Sequence, residues 1–403
     1  MARRTSGVSV KLAALVMRGL NLQIGYFVAH MAGTTKNPNM TRRLGPGILI
    51  GIMVPLLKPW LWRLRKHSAS DPHTITVLQD YLVGDLFMAL PAIKVLSAEI
   101  SVKVICRPDC LEILRAEGLE GIPFTNAFFL RPGILSFLTN LRATWKLRGT
   151  LGMLALDFDA DPRTAFWLKL AGVETVVSFN RSSAHFFDAF LPLPISMLHQ
   201  ADKDLALARA LLNSSPCLVQ KSVPPRNPRL LEPLIPTIES QAASPWLISC
   251  WTRRDAKNWP FEKWDDFLER MLTRRVPFVV LDAPDGDAAF QDFRKRWSGR
   301  VKFLNASLYR ISLAVRASAG VVGTDNFLGH MAGYYGKPVL WLNGSSDPAH
   351  VMPRGPKTIC VQFDPMPCRP CGHRCENVNY KACLTGLSVD AVWNSFELLQ
   401  SDR

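Results

Sequence analysis

Residues 320–348 read GVVGTDNFLGHMAGYYGKPVLWLNGSSDP. Gly320–Gly323 is a short apolar run with the spacing of a buried strand, and Leu328–Tyr335 carries apolar residues at helical spacing. Pro338–Leu342 is a second apolar run, closed by the turn residues Gly344-Ser345-Ser346-Asp347-Pro348. A strand, a helix and a strand in so short a stretch predict one unit of a parallel sheet with a helical crossover. Ligands of such sheets bind outside the carboxyl ends of the strands, where Asp325, Asn326, His330, Gly344 and Ser345 fall.

The same alternation extends upstream. Trp246–Cys250 and Phe278–Leu281 read as strands, and Trp264–Leu272 and Ile311–Ala317 as helices. Between Pro216 and Pro245 the pattern lapses into a stretch with seven prolines, which reads as a linker. Before it lie strands at Thr74–Leu78, Val102–Cys106, Met153–Asp157 and Val176–Ser178, with helices at Leu86–Leu96 and Arg163–Leu170. The chain therefore divides into an extension (1–72), a first α/β domain (73–215), a linker (216–245) and a second α/β domain (246–403), each domain a doubly wound, mostly parallel sheet. Two such domains are expected to face each other across a cleft, with a C-terminal helix at Ala391–Gln400 crossing back onto the first.

The formal charge of +15 calls for a polyanionic partner. With no run of six basic residues and no nucleic-acid-binding module, a membrane surface or a phosphorylated small molecule leads over nucleic acid. Leu12–Met17 is too short for a signal-peptide core. Pro46–Leu57, flanked by Arg42, Arg43, Arg63, Arg65 and Lys66 and followed by Trp60 and Trp62, is too short to span a bilayer; it reads either as an interfacial segment or as a core or oligomer-contact helix. An odd count of nine cysteines, four of them in one short window, argues against a secreted disulfide framework.

Three motifs follow strands. Gly84-Asp85 opens a helix carrying Pro91 near its start; Gly84 permits close approach of a ligand or of another backbone, and Asp85 suits either a helix cap or catalysis. Asp80 precedes the turn and reads as loop-stabilising. Thr252-Arg253-Arg254-Asp255-Ala256-Lys257 brings a hydroxyl, two guanidinium groups and an ammonium together, as a phosphate clamp or as a solvated basic loop. Around Asp325 a helix N-terminus offers free amides suited to a pyrophosphate, with His330 on the first turn as a further donor.

These residues together resemble glycosyltransferase family 9, the bacterial lipopolysaccharide heptosyltransferases. The resemblance rests on Gly84-Asp85 with Pro91, on Thr252, Arg254, Lys257, Trp259 and Pro260, on Asp325, His330 and Ala332, on Gly344, Ser346 and Pro348, and on a cysteine-rich tail. Asn326 and Phe327 stand where the family has Thr-Gly. The resemblance implies a GT-B fold and a donor, ADP-heptose, on the second domain. The implied acceptor is an inner-core lipopolysaccharide sugar bound on the first domain near Gly84, Arg163 and Arg181. It implies inverting transfer without a catalytic metal, at the cytoplasmic face of the inner membrane. Asp85 is then the general base, and Thr252, Arg253, Arg254 and Lys257 offset the leaving diphosphate with help from Asp325, Asn326, His330, Gly344 and Ser345; Asp287 or Asp285 would hold the ribose. A family member with another acceptor glycan, a protein acceptor or another sugar nucleotide, and a degenerate nucleotide-binding protein, are the alternatives. Cys368, Cys371, Cys375 and Cys383 are spaced for one tetrahedral zinc or iron site of structural role, as some similar iron-binding relatives have, or are reduced cysteines or loop disulfides.

Overall fold

The computed structural model describes residues 71–79, 82–125, 134–158, 162–179, 189–191, 199–214, 244–371 and 375–401. The chain divides into two compact units, Met1–Leu56 and Leu57–Arg403, and every described residue belongs to the second. The segment around Pro46–Leu57 and residues 215–243 of the expected linker lie outside the described residues.

The chain runs β1 (Asp71–Gln79), α1 (Val83–Glu99), β2 (Ser101–Cys106), α2 (Leu111–Ala116), β3 (Glu120–Pro123), α3 (Ile134–Lys146), β4 (Gly152–Asp157), α4 (Pro162–Leu170), β5 (Thr175–Phe179), β6 (Ala189–Leu191) and α5 (Gln200–Ser214). It continues as β7 (Trp246–Ser249), α6 (Phe261–Thr273), β8 (Phe278–Leu281), α7 (Ala288–Trp297), β9 (Phe303–Leu304), α8 (Leu308–Ala317) and β10 (Gly320–Thr324). The last elements are α9 (Phe327–Tyr334), β11 (Val339–Asn343), α10 (Pro348–Val351), β12 (Thr358–Gln362), α11 (Ala382–Thr385) and α12 (Val389–Ser401).

The strands form two six-stranded sheets, β3-β2-β1-β4-β5-β6 and β12-β11-β10-β7-β8-β9. Every pairing is parallel. Counted from its own first strand, each sheet follows the same doubly wound order, and its strand order reverses between β1 and β4 or between β7 and β10. All positions of β10 and β11 are buried, as their unbroken apolar runs require of strands covered on both faces.

Helix α1 is apolar on nearly every side, with Val83, Leu86, Phe87, Leu90, Ile93 and Leu96 buried among others. That composition suits a helix with no free face. It lies between its own sheet, α5 and α9 of the second sheet's layer. One apolar cluster runs from Ile75 and Val77 through α1 to Leu328, Met331 and Trp341, so the two sheets share a continuous core. Pro91 sits mid-helix rather than near the start, on the exposed side, where its missing N–H removes the helical donor of the Phe87 carbonyl. The expected C-terminal helix is α12, but it does not cross to the first sheet. Val392, Trp393, Phe396 and Leu399 form one apolar stripe that packs on the second sheet's own core, with the Phe396 ring 4.8 Å from Trp246 and Trp393 5.7 Å from Phe267.

Beside the apolar seam sits a polar clasp. Glu117, buried at the end of α2, pairs with Lys94 of α1 at 3.1 Å and with Arg316 of α8 at 2.6 Å, and accepts a hydrogen bond from the Tyr334 hydroxyl at 3.0 Å. Its partners come from both sheets' layers, and losing the carboxylate leaves two cations facing each other. Glu117→Gln is expected to lower unfolding free energy by about 2 kcal/mol in urea titrations. Glu120→Gln, which removes an exposed partner 3.8 Å from Lys103, should change it by less than about 0.5 kcal/mol.

Candidate active site

The loop after β7 is shaped by its own side chains. Asn258 accepts from the Thr252 backbone N–H at 2.7 Å and donates to the Thr252 carbonyl at 2.9 Å. The Thr252 hydroxyl accepts from the Arg254 N–H at 3.1 Å and donates to the Arg254 carbonyl at 3.0 Å. From behind, Asp255 takes hydrogen bonds from the Tyr380 hydroxyl (2.7 Å) and Lys381 (2.8 Å). Trp259, fully buried, donates to the Leu387 carbonyl at 3.1 Å. This bracing fixes the short 3-10 turn Asp255–Lys257, from which Lys257 reaches across to Asp325 at 2.5 Å.

Asp325 follows β10. Its Oδ2 accepts from Lys257 and also from the hydroxyl of Ser346, in the loop after β11. Burial would raise the Asp325 carboxyl, but Lys257 and the Ser346 hydroxyl hold it below the ordinary carboxylate range. The pair is thus an ionised carboxylate and an ammonium, both largely withdrawn from water. Asn326 does not face a ligand: its Oδ1 caps α9 by accepting from the Leu328 N–H at 2.9 Å, and its Nδ2 donates to Ser249 at 2.8 Å. One of the amides expected to meet a pyrophosphate is therefore already satisfied.

Asp85 arrives from the other sheet. It stands in the first turn of α1, the helix end that faces the cleft. Burial drives the Asp85 carboxyl up to about 6; Lys257 and Arg254 pull it down and Asp325 pushes it up. Those three influences place it opposite the cationic loop. Gly84 serves the contact between layers: a Cβ there would lie 3.0 Å from His330 Cδ2 and 3.6 Å from the Phe327 Cα. Burial lowers His330 to about 4, so the ring is neutral at physiological pH.

Four buried polar atoms at this edge have no hydrogen-bond partner among the described residues: Arg254 Nη1, Thr324 Oγ1, His330 Nδ1 and Ser345 Oγ. Buried polar groups are otherwise almost always paired. All four follow β7, β10 or β11, at the carboxyl ends of the strands that flank the switch point, and they can bond an anionic oxygen-rich ligand. Ser346 was named in the sequence only as part of the motif Gly344, Ser346 and Pro348, and Thr324 was given no role; small hydroxyl residues at consecutive strand ends were the available signal.

Other expected residues fall elsewhere. Arg253 is exposed and paired with Asp285 at 2.6 Å. Asp287 caps α7, accepting from the Phe290 N–H at 2.9 Å and from the Trp251 ring N–H at 3.2 Å. Gly344 answers to the tail: a Cβ would meet Leu384 at 2.8 Å and Cys383 Sγ at 3.2 Å. Arg163 lies in α4, while Arg181 and Asp80 are outside the described residues.

Cys368, Cys371 and Cys375 line one hollow with Glu376 and Asn377. Cys383 is buried on α11, and all four thiols are free. Among the described residues no three His, Cys, Asp or Glu side chains are disposed to hold a metal ion. The sulfurs of Cys375 and Cys368 instead accept from the Lys381 backbone N–H (3.2 Å) and the Asn377 amide (3.7 Å).

Two doubly wound sheets meeting beside their switch points, with a carboxylate from one and cations from the other, define the GT-B class of glycosyltransferase. Residues 237–381 match the family model described as glycosyltransferase family 9 (heptosyltransferase). The chain carries a family 9 domain and is a glycosyltransferase, as the motifs implied. Among solved structures it is similar to Escherichia coli ADP-heptose lps heptosyltransferase II (TM-score 0.60, 15% identity, covering 82% of this chain and 100% of that one). It is also similar to E. coli heptosyltransferase WaaC with ADP (0.62, 14%, 81% and 99%). A third likeness is to the iron-containing dodecameric glycosyltransferase TibC of enterotoxigenic E. coli (0.50, 13%, 83% and 78%). At these identities the likenesses establish the fold. No curated protein matches the sequence.

The Asp85 environment has a thermodynamic signature. Its folded-state pKa of about 6 lies above the ordinary 3.8, so ionising it in the fold costs stability as pH rises through 6, approaching about 3 kcal/mol. Asp85→Asn, which cannot ionise, is expected to be more stable than the parent by about 2–3 kcal/mol at pH 8, with no such gain below pH 4. Urea unfolding at the two pH values measures this; a gain independent of pH would mean the carboxyl is not held in its neutral form by burial.

Proposed function

We propose that the chain transfers a heptose from ADP-heptose to an inner-core lipopolysaccharide sugar, by inverting displacement and without a metal. The observation carrying this reading is the half-buried Asp85 carboxyl, its charge felt by Lys257 and Arg254 across the cleft, with unpaired polar atoms grouped on the cationic side. The diphosphate would lie against Arg254, Lys257, Thr324, His330 and Ser345. The acceptor hydroxyl oxygen attacks the anomeric carbon from the Asp85 side, the bond from that carbon to the diphosphate oxygen breaks, and Asp85 takes the hydroxyl proton. Charge then grows on the departing ADP, where Arg254 and Lys257 offset it. Lys257 is held for this by Asp325, itself held by Ser346. The Cys368–Cys383 cluster takes no part in the step. The reading is supported by ADP and ADP-heptose in the solved structures of similar proteins, and by the basic charge of this chain. An acceptor of this kind puts the enzyme at the cytoplasmic face of the inner membrane.

Two measurements test it. ADP release with ADP-heptose and an inner-core acceptor should show kcat/KM rising as pH passes up through about 6, because the base acts ionised; no release with this pair, but release with another sugar nucleotide, would reassign the donor. Lys257→Ala should weaken ADP-sugar binding about 10- to 100-fold by calorimetry, the loss of one charge-assisted contact. Unchanged affinity would remove Lys257 from the donor site.

A further inference from the structure

Helix α3 exposes two large apolar side chains on a face that does not meet the core. Its inward side carries the polar Asn140 and Thr144, both fully buried, with Ala143 beside them against the first sheet's second apolar cluster. Its outward side carries Leu138 and Trp145, 42% and 48% exposed. Arg142 and Lys146 are exposed between and beside them. Positions 138, 142, 145 and 146 lie on one helical face, so two large apolar groups and two cations form a single strip. Neither cation has an ion-pair partner among the described residues. Arg148, just past the helix, stacks its guanidinium 4.7 Å from the Trp145 ring centre and extends the strip.

The surrounding sequence is biased in the same direction. From Gly121 to Leu156 there is no aspartate or glutamate, while Arg131, Arg142, Lys146 and Arg148 are all basic. Core packing does not account for the outward Leu138 and Trp145, because the core is on the other side of the helix. Self-association through this face would bring like charges together. A tryptophan and a leucine flanked by the exposed cations Arg142 and Lys146 match the boundary between headgroups and acyl chains of an anionic bilayer.

The topology adds a reason for the position. Strand β3 is parallel to β1 and ends at the same sheet edge from which Asp85 projects, and α3 must return the chain from that edge to the start of β4. Helix α3 also covers the face of the sheet opposite α1, leaving its outer strip clear of the seam with α9. We propose that the outer face of α3 is a membrane-docking surface, selective for anionic lipid, which sets the first sheet's carboxyl edge close to the bilayer. Its biological sense rests on the membrane-bound acceptor proposed above, but its test needs no transfer reaction.

Full-length protein is to be sedimented with vesicles of phosphatidylcholine alone or with phosphatidylglycerol mixed in, at low and high salt. Binding is expected only to the anionic vesicles and to weaken with salt. Arg142→Glu with Lys146→Glu, and separately Leu138→Ser with Trp145→Ser, should each reduce partitioning about tenfold or more. Both pairs change exposed positions, and unaltered thermal unfolding and ADP-sugar affinity would show the fold and donor site intact. Partitioning of both double variants equal to the parent, equal binding to uncharged vesicles, or no binding by the parent would each overturn the proposal. A concentration-dependent dimer abolished by the Leu138–Trp145 variant would assign the strip to a second copy of the chain instead. Failure of the transfer assay with vesicle binding intact would leave the surface standing and count only against the acceptor.

Discussion

The site depends on the buried ion pair between Lys257 and Asp325. Three charged side chains, Asp85, Asp325 and Lys257, stand close enough to influence one another, and none is well exposed. Two carboxylates in such a place repel, and the fold would be expected to neutralise both. Lys257 breaks the symmetry. It commits to Asp325 by direct contact, and Ser346 adds a hydrogen bond on the same oxygen, so Asp325 stays ionised. Asp85 sees the lysine only at a distance and is left near neutrality in its titration, at about 6. A carboxyl in that range can accept a proton and still be largely ionised at neutral pH. One lysine therefore makes two similar aspartates into different chemical groups.

That arrangement requires the two sheets to be held in register to within a fraction of an ångström, and the seam between α1 and α9 supplies the register. Gly84 leaves room for the His330 ring, and Phe87 fits between Tyr334 and Tyr335. Both helices begin at the site: the first turn of α1 carries Asp85 and the first turns of α9 carry His330. The apolar seam and the residues of the proposed site are consecutive parts of the same two helices. Interface packing and the geometry of that site are therefore set by one contact, and the Glu117 clasp secures its far end.

Much of this was legible in the sequence. The strands at Thr74–Leu78, Phe278–Leu281 and Gly320–Gly323 were readable because strands of a parallel sheet covered by helices are short runs free of charged residues. Edge elements were not: β3, β6, β9 and β12 are two to five residues long or of mixed burial, and nothing local separates them from loop. At the site, Asp85, Arg254, Lys257, Asp325 and His330 stand near enough to act on one another electrostatically. Asn326, Asp287 and Gly344 were read as ligand-facing, and each has a structural task in the fold. Each belongs to a residue type that serves equally as a cap, a turn or a ligand group, and only the tertiary neighbour decides. Asn326 caps α9, Asp287 caps α7, and Gly344 makes room for Leu384.

The cysteine-rich tail belongs to the same logic. Arg369 donates to the Gly344 carbonyl at 2.8 Å, and the Cys371 N–H donates to the Ser345 carbonyl at 3.1 Å. Tyr380 and Lys381 hold Asp255, and the Leu387 carbonyl receives both Trp259 and Lys263. The segment from Arg369 to Leu387 thus grips the two loops that present Ser345 and Lys257. Its thiols lie within that grip, Cys383 against Gly344 and Cys375 under Lys381. The tail is therefore a brace: it carries no reacting group, yet the backbone positions of the cationic loop and of the small-residue loop are both fixed through it. A family-like cysteine tail following the donor loops makes physical sense on this account, since loops rich in glycine and serine have little packing of their own with which to hold a shape.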